Sequence, residues 1–530
     1  MFQTRTEGAR RRAAAVAAAT ALALTALAGC SGEGDDSARS DAAPSASATP
    51  SKQPSKPAGN PPPLPEALTG QKLSWEGCGS PAPGRPELAD RWECADMKAP
   101  LDYDKPDGET LDIALIRTRA TEDDRRIGSL LFNFGGPGGS GVATLPNSER
   151  TFSTLNSFYD LVSFDPRGVG RSSKVRCQSD AEIEKALNLD LTPDTAAEEK
   201  EFLDDAKALS ADCDRKAGKV LPHVGTSDAA RDMDLMRHLL GDEKLNYLGF
   251  SYGTSLGGTY AHLFPENVGR MVLDAAVDPT AGSVAHAKNQ ALGFQRALEN
   301  YLRSTGEDPT KGTKRITALL ERIDKDPLPT SGGRELTEGQ ALYGLVTPLY
   351  SQSSWPALEE ALEEAENGRG DRLLALSDNY HGRDAEGRFE ASSHAQRAVS
   401  CADDSSRPTM ADAKAVLPEF EKISPVFGPF LAWDTAGWCA GWPVPGERED
   451  PEVSAEGAAP IVVVGTTGDP ATPVEGAERM AKELGEDVGV LVTFDGEGHG
   501  AYFASSCVQD TVNAYLARGE VPRNGLTCEP

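Results

Sequence analysis

Basic residues are scarce in this chain. Lys and Arg number 53 against 82 Asp and Glu, a formal net charge of −29 over 530 residues. Nucleic acid needs clustered cations to displace its counterions, so the composition excludes it as a partner. Metal motifs are missing as well: there is no CxxC and no HExxH, and the seven His are scattered, so we expect neither metal nor cofactor. Ser377-Asp378-Asn379 stands without any S-x-x-K or K-T-G, which excludes a penicillin-interacting enzyme. The glycine run Gly135-Gly136-Pro137-Gly138-Gly139 lacks the GK[ST] ending of a phosphate loop. No internal repeat is evident. What remains is an acidic chain too long for one simple core.

The first 29 residues read as an export signal. Arg5, Arg10, Arg11 and Arg12 precede an Ala/Leu run that ends in Leu27-Ala28-Gly29-Cys30, too short for an ordinary membrane span. This ending resembles the lipobox of bacterial lipoproteins, which implies lipidation of Cys30 and a membrane anchor on an exported protein. Part of the population could also reach the medium. Residues 30–70 are rich in Ser, Ala and Pro and nearly free of large apolar side chains, so we expect a flexible tether. Eight further cysteines in an exported chain suggest disulfides, and they fall into four neighbouring couples: Cys78–Cys94, Cys177–Cys213, Cys401–Cys439 and Cys507–Cys528.

Strand patterns at Leu111–Ile116, Ile127–Phe134, Tyr159–Asp165, Leu245–Phe250, Met271–Val277, Ile461–Gly465 and Val488–Phe494 alternate with helical ones. One helix is expected over Asp228–Leu240, capped by Ser227 or Asp228, and another over Thr254–Phe264. Such alternation indicates a mostly parallel α/β sheet. Between Asp278 and Trp442 the strands stop and helical patterns such as QALGFQRALENYLRS take over. We therefore expect a sheet domain over 71–278 and 443–530, with a helical cap over 279–442.

The sequence LNYLGF-S-YGTSLGG places Ser251 between a strand and a helix, flanked by glycines. A nucleophile on a sharp strand-to-helix turn requires that setting. Serine also needs a base and a group to orient it. Asp469 directly follows the strand IVVVG-TTG, and His499 follows the next strand among glycines, so both come after Ser251 in the order Ser, Asp, His. The backbone N–H of Tyr252 and one from the Gly135–Gly139 loop are placed to receive an oxyanion.

FNFGGPGGSG, SFDPRGVGRS, GFSYGTSLGGTYAHLFPENVGRMVLDAAVDP, GTTGDPATP and GEGHGAY together resemble the secreted bacterial tripeptidyl aminopeptidases and their lipoprotein proteinase relatives. These are α/β-hydrolases similar to proline iminopeptidases. The resemblance, running from Trp75 to Cys528, implies an α/β-hydrolase fold with an inserted helical cap. It also implies Ser251 as nucleophile, Asp469 as orienting acid and His499 as base, with Gly136 and Tyr252 as oxyanion donors. Phe134 stands where proline iminopeptidases carry the His of HGGPG, which argues against strict prolyl specificity. Arg167 and Arg171, in the family's DxRGxGRS turn, are expected to brace the site loops. Peptides or proteins are the expected substrates. An aminopeptidase must also read a free α-amino group, and Asp403 and Asp404, beside Cys401, are the candidate carboxylates. Two other readings stay open: an esterase or lipase on the same residues, and a tethered peptide-binding lipoprotein without catalysis.

Overall fold

The computed structural model describes residues 62–79, 91–447 and 452–530. The signal, Cys30 and most of the tether lie outside the described residues. Those that are described form one compact unit.

Twelve strands occur among them: β1 (Glu76–Gly77), β2 (Glu93–Pro100), β3 (Thr110–Thr118), β4 (Gly128–Asn133), β5 (Tyr159–Phe164), β6 (Leu245–Phe250), β7 (Val268–Asp274), β8 (Leu328–Pro329), β9 (Glu335–Leu336), β10 (Ile461–Gly468), β11 (Gly489–Glu497) and β12 (Leu526–Cys528). Ten of them make one sheet in the order β1-β2-β3-β5-β4-β6-β7-β10-β11-β12. Pairing is antiparallel from β1 to β5 and parallel from there to β12.

Every residue of β4 and β5 is buried. A parallel strand covered by helices on both faces has no solvent side, so it reads as a continuous apolar run rather than an alternation. One face packs Leu131, Tyr247, Met271 and Val463 against the helices Thr226–Leu240, Tyr252–Leu263 and Val474–Leu484. The other packs Leu130, Phe132, Leu248 and Val462 against Phe152, Tyr502 and Val512.

The helices from Ser283 to Gly437 have their own core, including Leu298, Leu345, Leu358 and Phe427. This insertion departs from the expected all-helical block in one place, the short ribbon of β8 and β9. It also recruits a segment from the sheet domain: Phe202, on the helix Ala196–Ala217, packs with Trp433 and Ala436.

The four disulfides join Cys78 to Cys94, Cys177 to Cys213, Cys401 to Cys439 and Cys507 to Cys528, the neighbouring couples expected from the sequence. Two helix starts differ from expectation. The helix expected from Thr254 begins at Tyr252. Helix Thr226–Leu240 begins two residues before Asp228 with Gly225 at its N-cap, and no local side chain caps it. Its first-turn N–H, from Thr226, donates instead to Asp403 Oδ1 at 2.6 Å. A carboxylate brought in by the cap does the work of a local capping residue.

Candidate active site

Ser251 follows the last residue of β6 and precedes the helix Tyr252–Leu263. Its backbone has φ 56° and ψ −125°, a conformation that a non-glycine residue adopts only under strain. The neighbours that make this turn possible are small. A Cβ on Gly249 would lie 2.5 Å from the Gly253 carbonyl oxygen, and one on Gly253 would lie 2.7 Å from that of Asn133. The glycines around the serine are thus required by close backbone approach.

Asp469 follows β10 directly and is fully buried. Its Oδ1 accepts the N–H groups of Ala471 and Thr472 at 2.9 and 2.8 Å, and its Oδ2 accepts the Thr472 hydroxyl at 3.0 Å. These bonds aim the carboxylate at His499, whose Nδ1 lies 2.9 Å from Oδ1 and 3.0 Å from Oδ2. With Nδ1 engaged, Nε2 is the nitrogen left for proton transfer. Burial pushes the His499 imidazole down, but the charge and hydrogen bond of Asp469, with Asp274 behind them, outweigh it and hold it above its ordinary value.

Two partners of this centre were not anticipated from the sequence. The His499 N–H donates to the carbonyl of Tyr350 at 2.9 Å, and the two rings meet edge to face at 5.3 Å. Tyr350 ends a cap helix, so only tertiary structure brings it here. Asp274 is the other. It closes β7 just as Asp469 follows β10, three residues before the expected end of that strand at Val277.

Gly136 and Tyr252 both line a cavity of about 400 Å³ together with Ser251. Gly135 and Gly136 have φ of +87° and +110°, open to glycine and strained for any other residue. A Cβ on Gly135 would lie 2.8 Å from Ser251 Cβ, so the loop sits against Ser251 itself. The cavity is walled by cap aromatics, among them Phe294, Tyr343, Tyr350, Phe430 and Trp438. Asp403 and Asp404 line it too, joined by Glu447, which the sequence reading missed. Asp403 carries a load of its own: its Oδ2 accepts the Thr226 hydroxyl at 2.6 Å, and the Thr226 hydroxyl in turn lies 2.6 Å from the Tyr252 hydroxyl. Asp404 Oδ1 accepts the Ser406 N–H at 2.6 Å.

The two arginines expected to brace the site behave differently. Arg167 is fully buried and donates to Asp232 through Nε at 2.7 Å and Nη2 at 2.6 Å. The Arg171 guanidinium instead reaches Cys94 Sγ at 3.8 Å, and its backbone N–H donates to Asp165 at 2.8 Å. Its side chain makes no charge-assisted brace of the kind expected.

Residues 424–528 match the family described as TAP-like protein, and residues 128–318 match the one described as alpha/beta hydrolase fold. Serine protease Hip1 of Mycobacterium tuberculosis is 38% identical over 488 residues, covering 87% of this chain and 92% of that protein. The chain belongs to the α/β-hydrolase tripeptidyl aminopeptidase family. Carboxylesterase B of the same organism is 36% identical, with 86% and 90% covered. The tripeptidyl aminopeptidase of Streptomyces lividans is 29% identical, with 86% and 87% covered. This member of the tripeptidyl aminopeptidase family is accordingly a serine peptidase with peptide or protein substrates. Its acidic cavity, with Asp403, Asp404 and Glu447 on the walls, suits the cationic end of a peptide better than an anionic ligand.

Proposed function

We propose that the protein is a lipid-anchored extracellular aminopeptidase that releases di- or tripeptides from free N-termini through Ser251, His499 and Asp469. One observation carries the reading: a buried Asp469 holds His499 by Nδ1, while Ser251 stands on a strained turn in the wall of a cavity that Thr472, a hydrogen-bond partner of Asp469, also lines. In the reaction, His499 Nε2 takes the proton from Ser251 Oγ as that oxygen attacks the peptide carbonyl. The N–H groups of Gly136 and Tyr252 receive the charge that develops on the carbonyl oxygen. The imidazolium then gives its proton to the departing amine, and water, deprotonated by His499, releases the peptide acid from Ser251. Asp403 and Asp404 receive the substrate's α-ammonium. Cys30 carries the lipid that keeps the protein at the outer face of the membrane.

The identity to a protein named carboxylesterase B favours a second reading, in which the same residues hydrolyse esters. Peptidyl-aminomethylcoumarin substrates of one to four residues, free and N-blocked, separate the two when assayed beside p-nitrophenyl esters. Turnover of free-amine peptides that vanishes in Ser251→Ala supports the aminopeptidase, and ester turnover alone supports the alternative. Retention of peptides without turnover would instead indicate a binding protein. Asp403→Asn should raise KM for free-amine peptides and spare N-acylated esters; equal losses on both would reject the amine site. Cys30→Ala should shift the protein from the membrane to the medium.

A further inference from the structure

Asp274 is a fully buried carboxylate that the reaction above does not use. It is the last residue of β7 and pairs in register with Phe250, the residue before Ser251. Its backbone carbonyl accepts the Ser251 N–H at 3.0 Å. Its side chain turns to a different element: Oδ1 accepts the Ala501 N–H at 3.0 Å and Oδ2 the Tyr502 N–H at 2.8 Å. Ala501 and Tyr502 open the short helix that follows His499 and Gly500. One residue therefore ties the nucleophile's turn to the histidine's turn.

The backbone around it is strained in the same manner as the nucleophile. Ser251 at the end of β6 has φ 56°, and Ala275, next to Asp274 at the end of the neighbouring strand, has φ 58°. Non-glycine residues hold that region only where the surrounding structure enforces it. Two such positions lie on adjacent strand ends, joined by the Ser251 N–H to Asp274 carbonyl bond.

Cost also argues for a role. No Lys or Arg forms an ion pair with Asp274 among the described residues, and burying an unpaired carboxylate is expensive. Simple fastening of two N–H groups could be done by a neutral amide or a backbone carbonyl. The ionisable groups facing Asp274 are His499, whose positive form it favours, Asp469, which opposes its charge, and the phenol of Tyr502. Burial raises its own carboxyl to about 6, with the two N–H groups and His499 pulling the other way.

We propose that Asp274 is a positioning residue of the reaction centre: it locks the turns of Ser251 and His499 together, and its charge supports the imidazolium formed when His499 takes the serine proton. This rests on the assignment of Ser251, Asp469 and His499. Asp469 orients the histidine through Nδ1, and Asp274 acts from behind, through the backbone that follows it. Two carboxylates then share the imidazolium, one by a hydrogen bond and one by charge alone.

The test measures kcat and KM of the full chain from pH 5 to 9 on a peptidyl-aminomethylcoumarin substrate, for the wild type and Asp274→Asn, with thermal melting alongside. Asp274→Asn should lower kcat about 10- to 100-fold and leave KM within about twofold. Removing a negative charge that favours the imidazolium should also move the acid limb of kcat/KM to lower pH, by about half a unit or more. A fastening role alone would lower kcat and melting temperature without moving the limb, and that result overturns the proposal. Unchanged kcat with an unmoved limb does so as well. Asp274→Ser, smaller and also neutral, is read by the same outcomes if the Asn variant does not fold. Ser251→Ala and His499→Ala run in parallel. Turnover surviving in them sinks the triad assignment and this proposal together, whereas their inactivity beside a wild-type-like Asp274→Asn sinks this proposal alone.

Discussion

Replacing Arg167 with Met should be among the most destabilising single changes in the sheet domain. The guanidinium and the Asp232 carboxylate are both wholly shielded from solvent. Arg167 satisfies both oxygens of Asp232 and also donates to the carbonyls of Pro100, Leu101 and His223 at 3.2, 3.2 and 2.8 Å. Methionine fills much of the volume but leaves the Asp232 carboxylate buried and, among the described residues, held only by the Tyr103 hydroxyl at 2.8 Å. Removing one partner of a buried pair costs about 3–5 kcal/mol. At an unfolding entropy of about 2.1 cal/mol/K per residue, a chain of this size loses about 1 °C per kcal/mol, so melting should fall by about 3–5 °C. Scanning calorimetry on wild type, Arg167→Met, Asp232→Asn and the double variant measures it. The double variant should lose well under the sum of the two single losses, because removing both partners leaves neither of them buried without the other. A fall under about 1 °C, or strict additivity, would refute the reasoning.

Three further outcomes follow from the described contacts. His499 acts as a base only when neutral, and Asp469 raises its imidazole, so kcat/KM should fall with decreasing pH through a value above about 6.5; Asp469→Asn should bring that limb lower and cost about 10⁴ in kcat. Gly257→Ala would push a methyl to 2.5 Å from Leu273 Cδ2 and 2.7 Å from Tyr247 Cε1, and overpacking of this kind costs about 1–3 kcal/mol, read as a lowered denaturation midpoint. Cys401→Ser with Cys439→Ser opens a 38-residue separation inside the cap and should cost about 2–4 kcal/mol. Because Cys439 lines the cavity, KM should rise in that variant while the acid limb stays in place.

The centre of the sheet was readable because its strands are buried on both faces, so β4 and β10 carry the apolar runs Leu130–Phe132 and Ile461–Val464. Their ends carry glycine where the backbone must turn or approach, which is why Ser251, Asp469 and His499 stood out in order. The start of the helix at Thr226 was misplaced for the opposite reason. Its capping carboxylate comes from Asp403, 177 residues away, and no local pattern reports a partner at that distance. The short edge strands β1 and β12, each at one end of the sheet, escaped because two or three residues carry no periodicity. Tyr350 reaches the site from the end of a cap helix, and Glu447 through its bonds to Ala402 and Ser227, partners that no local pattern reports. Asp274 is a different kind of omission: the strand was expected to run on to Val277, which put this Asp inside it, whereas the observed strand ends at Asp274.

The carbonyl of Tyr350 has a bearing on how this enzyme can evolve or be re-engineered. It accepts the N–H of His499, so the insertion is fastened to the turn on which proton transfer depends. A cap exchanged for a relative's, or trimmed to widen substrate range, would remove a hydrogen bond from that turn along with the pocket wall. Specificity and turnover are therefore not separable modules in this architecture. A transplanted insertion needs a carbonyl at the same point before its new pocket can be used.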